Sequence, residues 1–292
     1  MLFSIVTPSY NQAAFLEETI QSVLNQTYKD VEYIIIDGGS TDGSQEIIRR
    51  YENRLAYWQS KKDKGFADAI NQGWMRATGE ILAYLNSDDL LEKDALQKVV
   101  QAFTDSPETD VLYGDTRVIN ESGNTMRIFH SERFDLRSVF ETWKDPIRQP
   151  SAFIRKSVRD KFGGMDESFQ FCADFEYWIR VAAGGVRFLH IADLLSRARE
   201  HAAAKSIRQQ DVQAEELIRI FEKFRNTPVF LNSGVPEKES LQGLYRVTSE
   251  HFINAGHKRK ALQSYIQYSA HAYSGFERPY RILRFIARLL IS

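Results

Sequence analysis

Short apolar runs alternate with apolar residues at helical spacing through the first third of the chain. Leu2 to Val6 reads as a buried strand, and Phe15, Leu16, Ile20, Val23 and Leu24 then fall at the three- and four-residue intervals of one helix face. Glu17 and Glu18 sit near the expected start of that helix, where its dipole favours acids. Val31 to Ile36 is a second apolar run. It is followed by Asp37 to Gly43, a turn rich in helix-capping residues, and by a helix through Ile47, Ile48 and Tyr51. A third strand near Leu55 to Gln59 precedes a helix carrying Ala69, Ile70, Trp74 and Ala77, which Gly79 ends. Ile81 to Leu85 is the fourth strand and runs directly into Asn86-Ser87-Asp88-Asp89. This rhythm predicts an α/β fold whose mostly parallel central sheet is covered on both faces.

Beyond Val111 the pattern shifts to α+β. Val111 to Tyr113 and Thr116 to Ile119 read as two strands, Glu121 to Asn124 as a hairpin turn, and Ser151 to Arg155 as another strand. A helix is expected over Asp174 to Ala183 and a strand over Val186 to Ile191. After Ile207 the chain reads as wholly helical, so the expected division is a catalytic domain over 1–210 and a helical C-terminal extension over 211–292. Leu244, Val247, Phe252, Ala261, Tyr265 and Tyr268, interrupted at Gly256, are similar to a helical hairpin of tetratricopeptide units, although one copy makes no repeat.

Composition narrows the function classes. A net charge of −1 over 292 residues excludes the cationic excess that nucleic-acid binders carry for the phosphate backbone. Cys172 is the single cysteine, so neither an internal disulfide nor a cysteine zinc site is available, and a cytoplasmic setting is expected. The N-terminus has no basic segment before its apolar run and reaches Pro8 early, unlike a signal peptide. No apolar run reaches 18 residues, which leaves surface attachment as the membrane option. For that option, residues 276–292 are the candidate: Arg281, Arg284 and Arg288 share one helical stripe, with Ile282, Phe285, Ile286 and Leu289 mostly opposite. Such a helix either lies on an anionic membrane or packs its apolar face on the hairpin before it.

Ligands of open α/β sheets bind at the carboxyl ends of strands, where this chain puts Thr7 to Asn11, Asp37 and Asp88-Asp89. No glycine fingerprint follows the first strand, which argues against a dinucleotide fold. Two adjacent carboxylates after an apolar strand repel each other, and a divalent cation relieves them; the alternative is that one of them caps a helix beginning near Glu92. Asp174 stands at an expected helix start, as a general base or as an N-cap. Glu176 is a solvent-facing or Arg-paired helix residue. Lys64 and Gly65 open a helix, where a cation and free amides meet phosphate or simply form a solvated turn, and Asn71 is placed to orient that loop. Trp143, Phe171 and Trp178 offer faces for sugar rings or belong to the core.

Ser4 to Asn11, Ile36 to Gly43 and Leu85 to Asp89, in this order and spacing, resemble the inverting glycosyltransferases of family 2, with a GT-A-type fold. The resemblance covers about the first 210 residues. It implies that Thr7, Pro8 and Tyr10 line a nucleoside pocket, that Asp37 accepts from the base, usually uracil, and that Asp88 lies near the ribose and diphosphate; Lys64 and Asn71 join the nucleotide-site candidates through the loop reading above. It further implies that Asp89 is the direct ligand of Mn²⁺ or Mg²⁺ and that Asp174 removes the acceptor proton. In Arg199 to Ser206 it implies a loop over the diphosphate, with Arg199 and Lys205 screening phosphate and His201 a nitrogen ligand that favours Mn²⁺. Gln149 and Trp178 fall on the acceptor side. The sequence departs from the family at Ala173, where many members carry Glu, and at Ala202-Ala203, where Pro-Gly is usual. The implied partners are a nucleotide-sugar donor of the UDP kind and a carbohydrate or lipid-linked acceptor, with no nucleic acid. Two rivals are a sugar nucleotidyltransferase, which usually resembles a glycine-rich basic loop absent here, and a non-catalytic nucleotide-sugar-binding module.

Overall fold

The computed structural model describes residues 1–201, 209–272 and 277–291. The chain divides into two compact units, Met1–Arg133 with Pro146–His201, and Phe134–Asp145 with Ala202–Ser292. A short inserted segment, with its helix Leu136–Thr142, thus belongs to the second unit.

In the first unit the strands are β1 (Phe3–Ser9), β2 (Val31–Asp37), β3 (Tyr57–Ser60), β4 (Ile81–Tyr84), β5 (Leu90–Leu91), β6 (Val111–Ile119), β7 (Thr125–Phe129), β8 (Ala152–Arg155) and β9 (Phe188–Arg199). Among the described residues they form one sheet in the order β3-β2-β1-β4-β8-β6-β9-β5, with β7 pairing β6. The β3-β2-β1-β4 half is wholly parallel, as the alternation of strands and helices predicts. Beyond β4 the sheet is mixed: β8 runs antiparallel to β4 and β6, β9 runs parallel to β6, and β5 antiparallel to β9.

Register aligns the site. Ser9 lies opposite Asp37 and Asp37 opposite Ser60, so three strands end level, whereas β4 ends at Tyr84 opposite Val6 and turns early. Phe3, Ile5, Tyr33, Ile35, Ile81 and Leu112 are buried under the helices Ala13–Leu24 and Ala95–Asp105, each such side chain stabilising the fold by roughly 1.5–3 kcal/mol. On the opposite face Gly73 of the helix Phe66–Arg76 lies against Val6 so closely that a Cβ would overlap its methyl groups.

Three local expectations change. The helix Ala13–Leu24 has no acid in its first turn, so Glu17 and Glu18 act through side-chain partners rather than through the dipole. Glu17 accepts from the Tyr51 hydroxyl at 2.8 Å, and Glu18 pairs with Arg199. The two strands expected at 111–113 and 116–119 are one strand with a shifted register, because Asp115 is kept inside it by His130 at 2.6 Å, His190 at 3.0 Å and the Ser131 amide. The strand expected at 186–191 is longer, Phe188–Arg199, and delivers Arg199 to the site.

The second unit is helical: Gln210–Phe224, Pro228–Leu231, Glu237–Asn254, Lys258–Ala272 and Glu277–Ile291. The hairpin of its third and fourth members turns at Gly256, whose φ of 77° favours glycine. Trp143 is not a sugar platform: it is buried against Phe140 and Phe221 and donates to Ser240 Oγ at 3.0 Å. Phe285 and Leu289 pack with Ala214, Phe252 and Ala261, which is the packed arrangement of the two weighed for the last helix. Among the described residues no helix is long and apolar enough to cross a membrane.

Candidate active site at the carboxyl ends of the strands

The end of β2 is a closed hydrogen-bond centre. Asp37 Oδ2 accepts from the Gly39 amide at 3.1 Å, the Ser40 amide at 2.9 Å and Ser60 Oγ at 2.5 Å, and its Oδ1 accepts from Ser40 Oγ at 2.5 Å. At Gly38 a Cβ would come within 2.8 Å of Asp63 Oδ2, so a larger residue there would have to displace the Asp63 carboxylate. Asn11, held at a φ of 51°, completes the cradle: its Oδ1 accepts from the Thr41 amide at 2.9 Å, and its own amide donates to Ser40 Oγ. Asp37 thus shapes this loop through four accepted hydrogen bonds, three at Oδ2 and one at Oδ1, and capacity for a contact to a base remains at Oδ1.

Around it, Thr7 and Pro8 are buried in β1, and Thr7 Oγ1 bonds the Tyr33 hydroxyl at 3.0 Å, so that side chain points into the core rather than into a pocket. Tyr10, in contrast, is 58% exposed. Lys64 is exposed and lies 3.5 Å from Glu167. Asn71 is committed to the backbone of Met165, donating to its carbonyl at 2.9 Å and accepting from its amide at 2.8 Å. It orients the loop before the Asp174 helix rather than the Lys64 turn.

The end of β4 differs. After Tyr84 the chain turns at Asn86 and enters β5 at Leu90, and the next helix starts only at Ala95. Neither Asp88 nor Asp89 caps that helix, whose N-cap is Asp94, which removes the bland alternative for the pair. Thr19 Oγ1 pins the Asp89 carbonyl at 2.8 Å. Asp89 Oδ1 accepts from the Arg199 amide at 2.9 Å and Oδ2 from Asn86 Nδ2 at 3.3 Å, both neutral donors. Burial, and next the charge of Asp88, push Asp89 well above the usual carboxylate range, against the Arg199 amide, Asn86 and the Arg199 charge. Asp88 Oδ2 meets Nε2 of the buried His201 at 3.1 Å, while the His201 ring leans on Phe15 with 4.7 Å between centroids.

Two carboxylates and an imidazole thus share one tip, where burial and the Asp88 charge outweigh the Arg199 amide, Asn86 and the Arg199 charge. Such oxygen and nitrogen donors fit Mn²⁺ or Mg²⁺. As the structure stands, among the described residues no three acidic, His or Cys side chains already form a cation cage.

Arg199 does not reach outward as a phosphate screen. Its buried guanidinium donates to the Asp88 carbonyl at 3.1 Å, the Glu121 carbonyl at 2.7 Å and Glu18 at 2.6 Å, and it lies 4.9 Å over the Phe15 ring. It braces the acidic turn from behind. Lys205, the other expected phosphate residue, lies outside the described residues.

The third group is the base candidate. Asp174 lies inside the first turn of the helix Ala173–Ala183, one residue past the start, and is not its N-cap, which is Cys172. Its Oδ2 faces the Tyr84 hydroxyl at 3.5 Å and its Oδ1 accepts from the Phe175 amide at 2.8 Å. Burial pushes its carboxyl up to about 6, opposed by the Phe175 amide, Tyr84 and the charge of Arg148. Glu176 is the Arg-paired residue, bound to Arg180 at 2.9 Å.

Gln149 joins the second and third groups. Its Nε2 donates to the Tyr84 carbonyl at 2.6 Å and its Oε1 accepts from Asn86 Nδ2 at 3.3 Å, so it is a buried strut and not an exposed acceptor contact. Trp178, also expected on the acceptor side, is 2% exposed and packs edge-on to Tyr177 and Phe188; its indole belongs to the core. The structure therefore gathers Asp88, Asp89, His201, Gln149 and Asp174 about the end of β4. Sequence reasoning missed Tyr84, Asn86, Glu18 and Arg148. Tyr84 lies in the expected fourth strand and Asn86 in the motif after it; Glu18 reads as a helix-start acid and Arg148 carries no signal, because only the fold brings them near.

Residues 4–163, over half of the chain, match the family model described as "Glycosyl transferase family 2". An uncharacterized glycosyltransferase of Rickettsia typhi is 28% identical over 210 residues, which span 69% of this chain and 65% of that protein. A "PGL/p-HBAD biosynthesis glycosyltransferase" of Mycobacterium bovis is 31% identical over 197 residues, 65% of this chain and 74% of that one. Among solved structures, S. aureus TarS 1-349 in complex with UDP-GlcNAc superposes with a TM-score of 0.66 at 20% identity, over 93% of this chain and 79% of its own. The mannosyltransferase PcManGT of Pyrobaculum calidifontis, in complex with GDP-Man and Mn²⁺, gives 0.62 at 20% identity, over 99% and 80%. At these identities the structural likeness is one of fold.

Proposed function

This chain belongs to glycosyl transferase family 2, and from that premise we propose that it moves a sugar from a nucleotide diphosphate donor, first of all a UDP-sugar, to an acceptor hydroxyl with inversion at the anomeric carbon. Its sheet is GT-A-like. The observation that carries the proposal is the turn after β4, where Asp89 is driven toward protonation by burial and by Asp88 within reach of His201. Asp88, Asp89 and His201 are the residues that would hold a divalent cation. When bound, that cation supplies charge neutralisation to the departing diphosphate. That TarS was crystallised with UDP-GlcNAc and PcManGT with GDP-Man and Mn²⁺ supports a donor and a metal of this kind.

The remaining work falls to the protein. The Asp37 centre keeps the loop after β2 rigid beside the exposed Tyr10, where a nucleoside would rest. Asp174, at about 6, is ionised at neutral pH yet basic enough to take a hydroxyl proton as the acceptor oxygen attacks. One carboxyl suffices, because the leaving diphosphate needs no acid, in contrast to the paired carboxyls of glycoside hydrolases. The Tyr84–Gln149–Asn86 links tie this base to the acidic turn, so both groups keep one spacing. Polysaccharide or glycolipid assembly is the setting we infer, with the acceptor a carbohydrate or a lipid-linked glycan.

The test is a panel of nucleotide sugars, incubated with the chain, Mn²⁺ and candidate glycans while free nucleoside diphosphate is measured. Release of UDP from at least one donor is expected. Release of pyrophosphate instead points to a nucleotidyltransferase, and binding without turnover of any donor points to a non-catalytic module; either result contradicts the proposal.

A further inference from the structure

The helical unit contains a cavity of about 570 Å³, within the roughly 300–1,000 Å³ typical of small-molecule sites. Its wall includes Arg246 and Glu250 of the helix Glu237–Asn254, Tyr265 of Lys258–Ala272, and Arg281, Arg284 and Phe285 of Glu277–Ile291. Three guanidinium groups against one carboxylate leave the lining with a net positive charge. Self-repulsion of this kind is a cost that an anion removes.

Part of the lining is aromatic. The rings of Tyr265 and Phe285 stack with centroids 3.8 Å apart and planes 2° from parallel, and Phe285 belongs to the small core with Phe252 and Ala261. Arg246 and Arg284, in the same lining, are exposed, and among the described residues neither guanidinium has an ion pair or hydrogen bond. Guanidinium forks suit phosphate oxygens bidentately. The arginine stripe of the last helix thus does more than present charge outward: Arg281 and Arg284 share a partly aromatic cavity lining with a third arginine from another helix.

We propose that this cavity binds a phosphate- or diphosphate-bearing ligand, its anion held by Arg246 and Arg284 and its less polar part resting over Tyr265 and Phe285. The site lies within the second unit and stands independently of the transferase reading. Two sources share this chemistry, a soluble phosphate ester or a lipid headgroup, and both are tested.

Arginines of the full chain are labelled with phenylglyoxal and read by peptide mass spectrometry, alone, with millimolar inorganic diphosphate, or with phosphatidylcholine vesicles containing phosphatidylglycerol. Arg246 and Arg284 are expected to label several-fold more slowly with one of the two additions, while Arg259, exposed outside the cavity, is unchanged. Protection by diphosphate assigns a soluble phosphate, and protection by vesicles alone assigns a headgroup. Because labelling is read residue by residue, diphosphate bound at the β4 turn does not confuse it. In the protecting condition, the double variant R246Q/R284Q is expected to bind about tenfold or more weakly, the worth of one charge-assisted pair. Absence of protection in both additions overturns the proposal, as does equal protection of Arg259 or unchanged binding by the double variant. If that variant does not fold, the labelling of the unaltered chain decides alone.

Discussion

Asp37 and Asp89 stand at equivalent places, each just past or at the end of a parallel strand, and their surroundings are opposite. Asp37 has four donors within 3.1 Å on its two oxygens. Asp89 has two neutral donors and a second carboxylate beside it, and it is pushed up. A buried carboxylate that is fully satisfied organises backbone; one left short of positive charge waits for a partner from outside. We propose a structural role for the first and ligand chemistry for the second, and each role can be broken.

The largest effect is expected at Asp174. Its replacement by Asn should lower turnover on the order of 10²–10⁴-fold, with donor affinity nearly unchanged. The folded carboxyl titrates at about 6, above its unfolded value near 4, so its contribution to stability is complete below about 4 and is lost as pH rises through about 6. Asp174→Asn should therefore melt higher than the native chain at pH 8, whereas a structural role predicts a lower melting temperature. Next comes Asp89→Asn, which should cost about two orders of magnitude in metal-stimulated turnover, equivalent to about 3 kcal/mol, with little loss of stability. Asp37→Asn should show the reverse emphasis: an amide cannot accept all four donors, so unfolding should cost about 1–3 kcal/mol less, visible in denaturant melts. Equal behaviour of the two variants in both assays removes the distinction. The smallest effect is expected from Tyr84→Phe, which deletes a long hydrogen bond that favours ionised Asp174; the acid limb of the pH–rate profile should move upward from about 6. A shift downward, or none, disconnects Tyr84 from the base.

Much of the parallel half was legible because its strands are apolar runs and its helices have one apolar face, patterns that local sequence carries. The acidic turn was legible for a related reason: Asp88-Asp89 lies only three residues past Leu85, the last apolar residue of the run, so the carboxylates had to sit at a strand end. What stayed hidden was partnership. Gln149 reads as a polar residue before a strand, and only the approach of β8 to β4 turns it inward to the Tyr84 carbonyl. Arg199 reads as a loop cation until β9 extends to it and Glu18, far away in the chain, takes its guanidinium. Trp178 reads as core sooner than as a platform, and packing bears out the core. Asp115, with two imidazoles on it, shows why a single polar residue in an apolar run does not break a strand when its charge is satisfied.

A cation held at the turn after β4 together with the donor diphosphate is the centre of the proposed reaction. The direct measurement is Mn²⁺ binding by electron paramagnetic resonance in the presence of saturating UDP, compared between the native chain and Asp89→Asn. One tightly held Mn²⁺ in the native chain and about tenfold or weaker binding in the variant is the predicted result. Equal binding by both chains contradicts it.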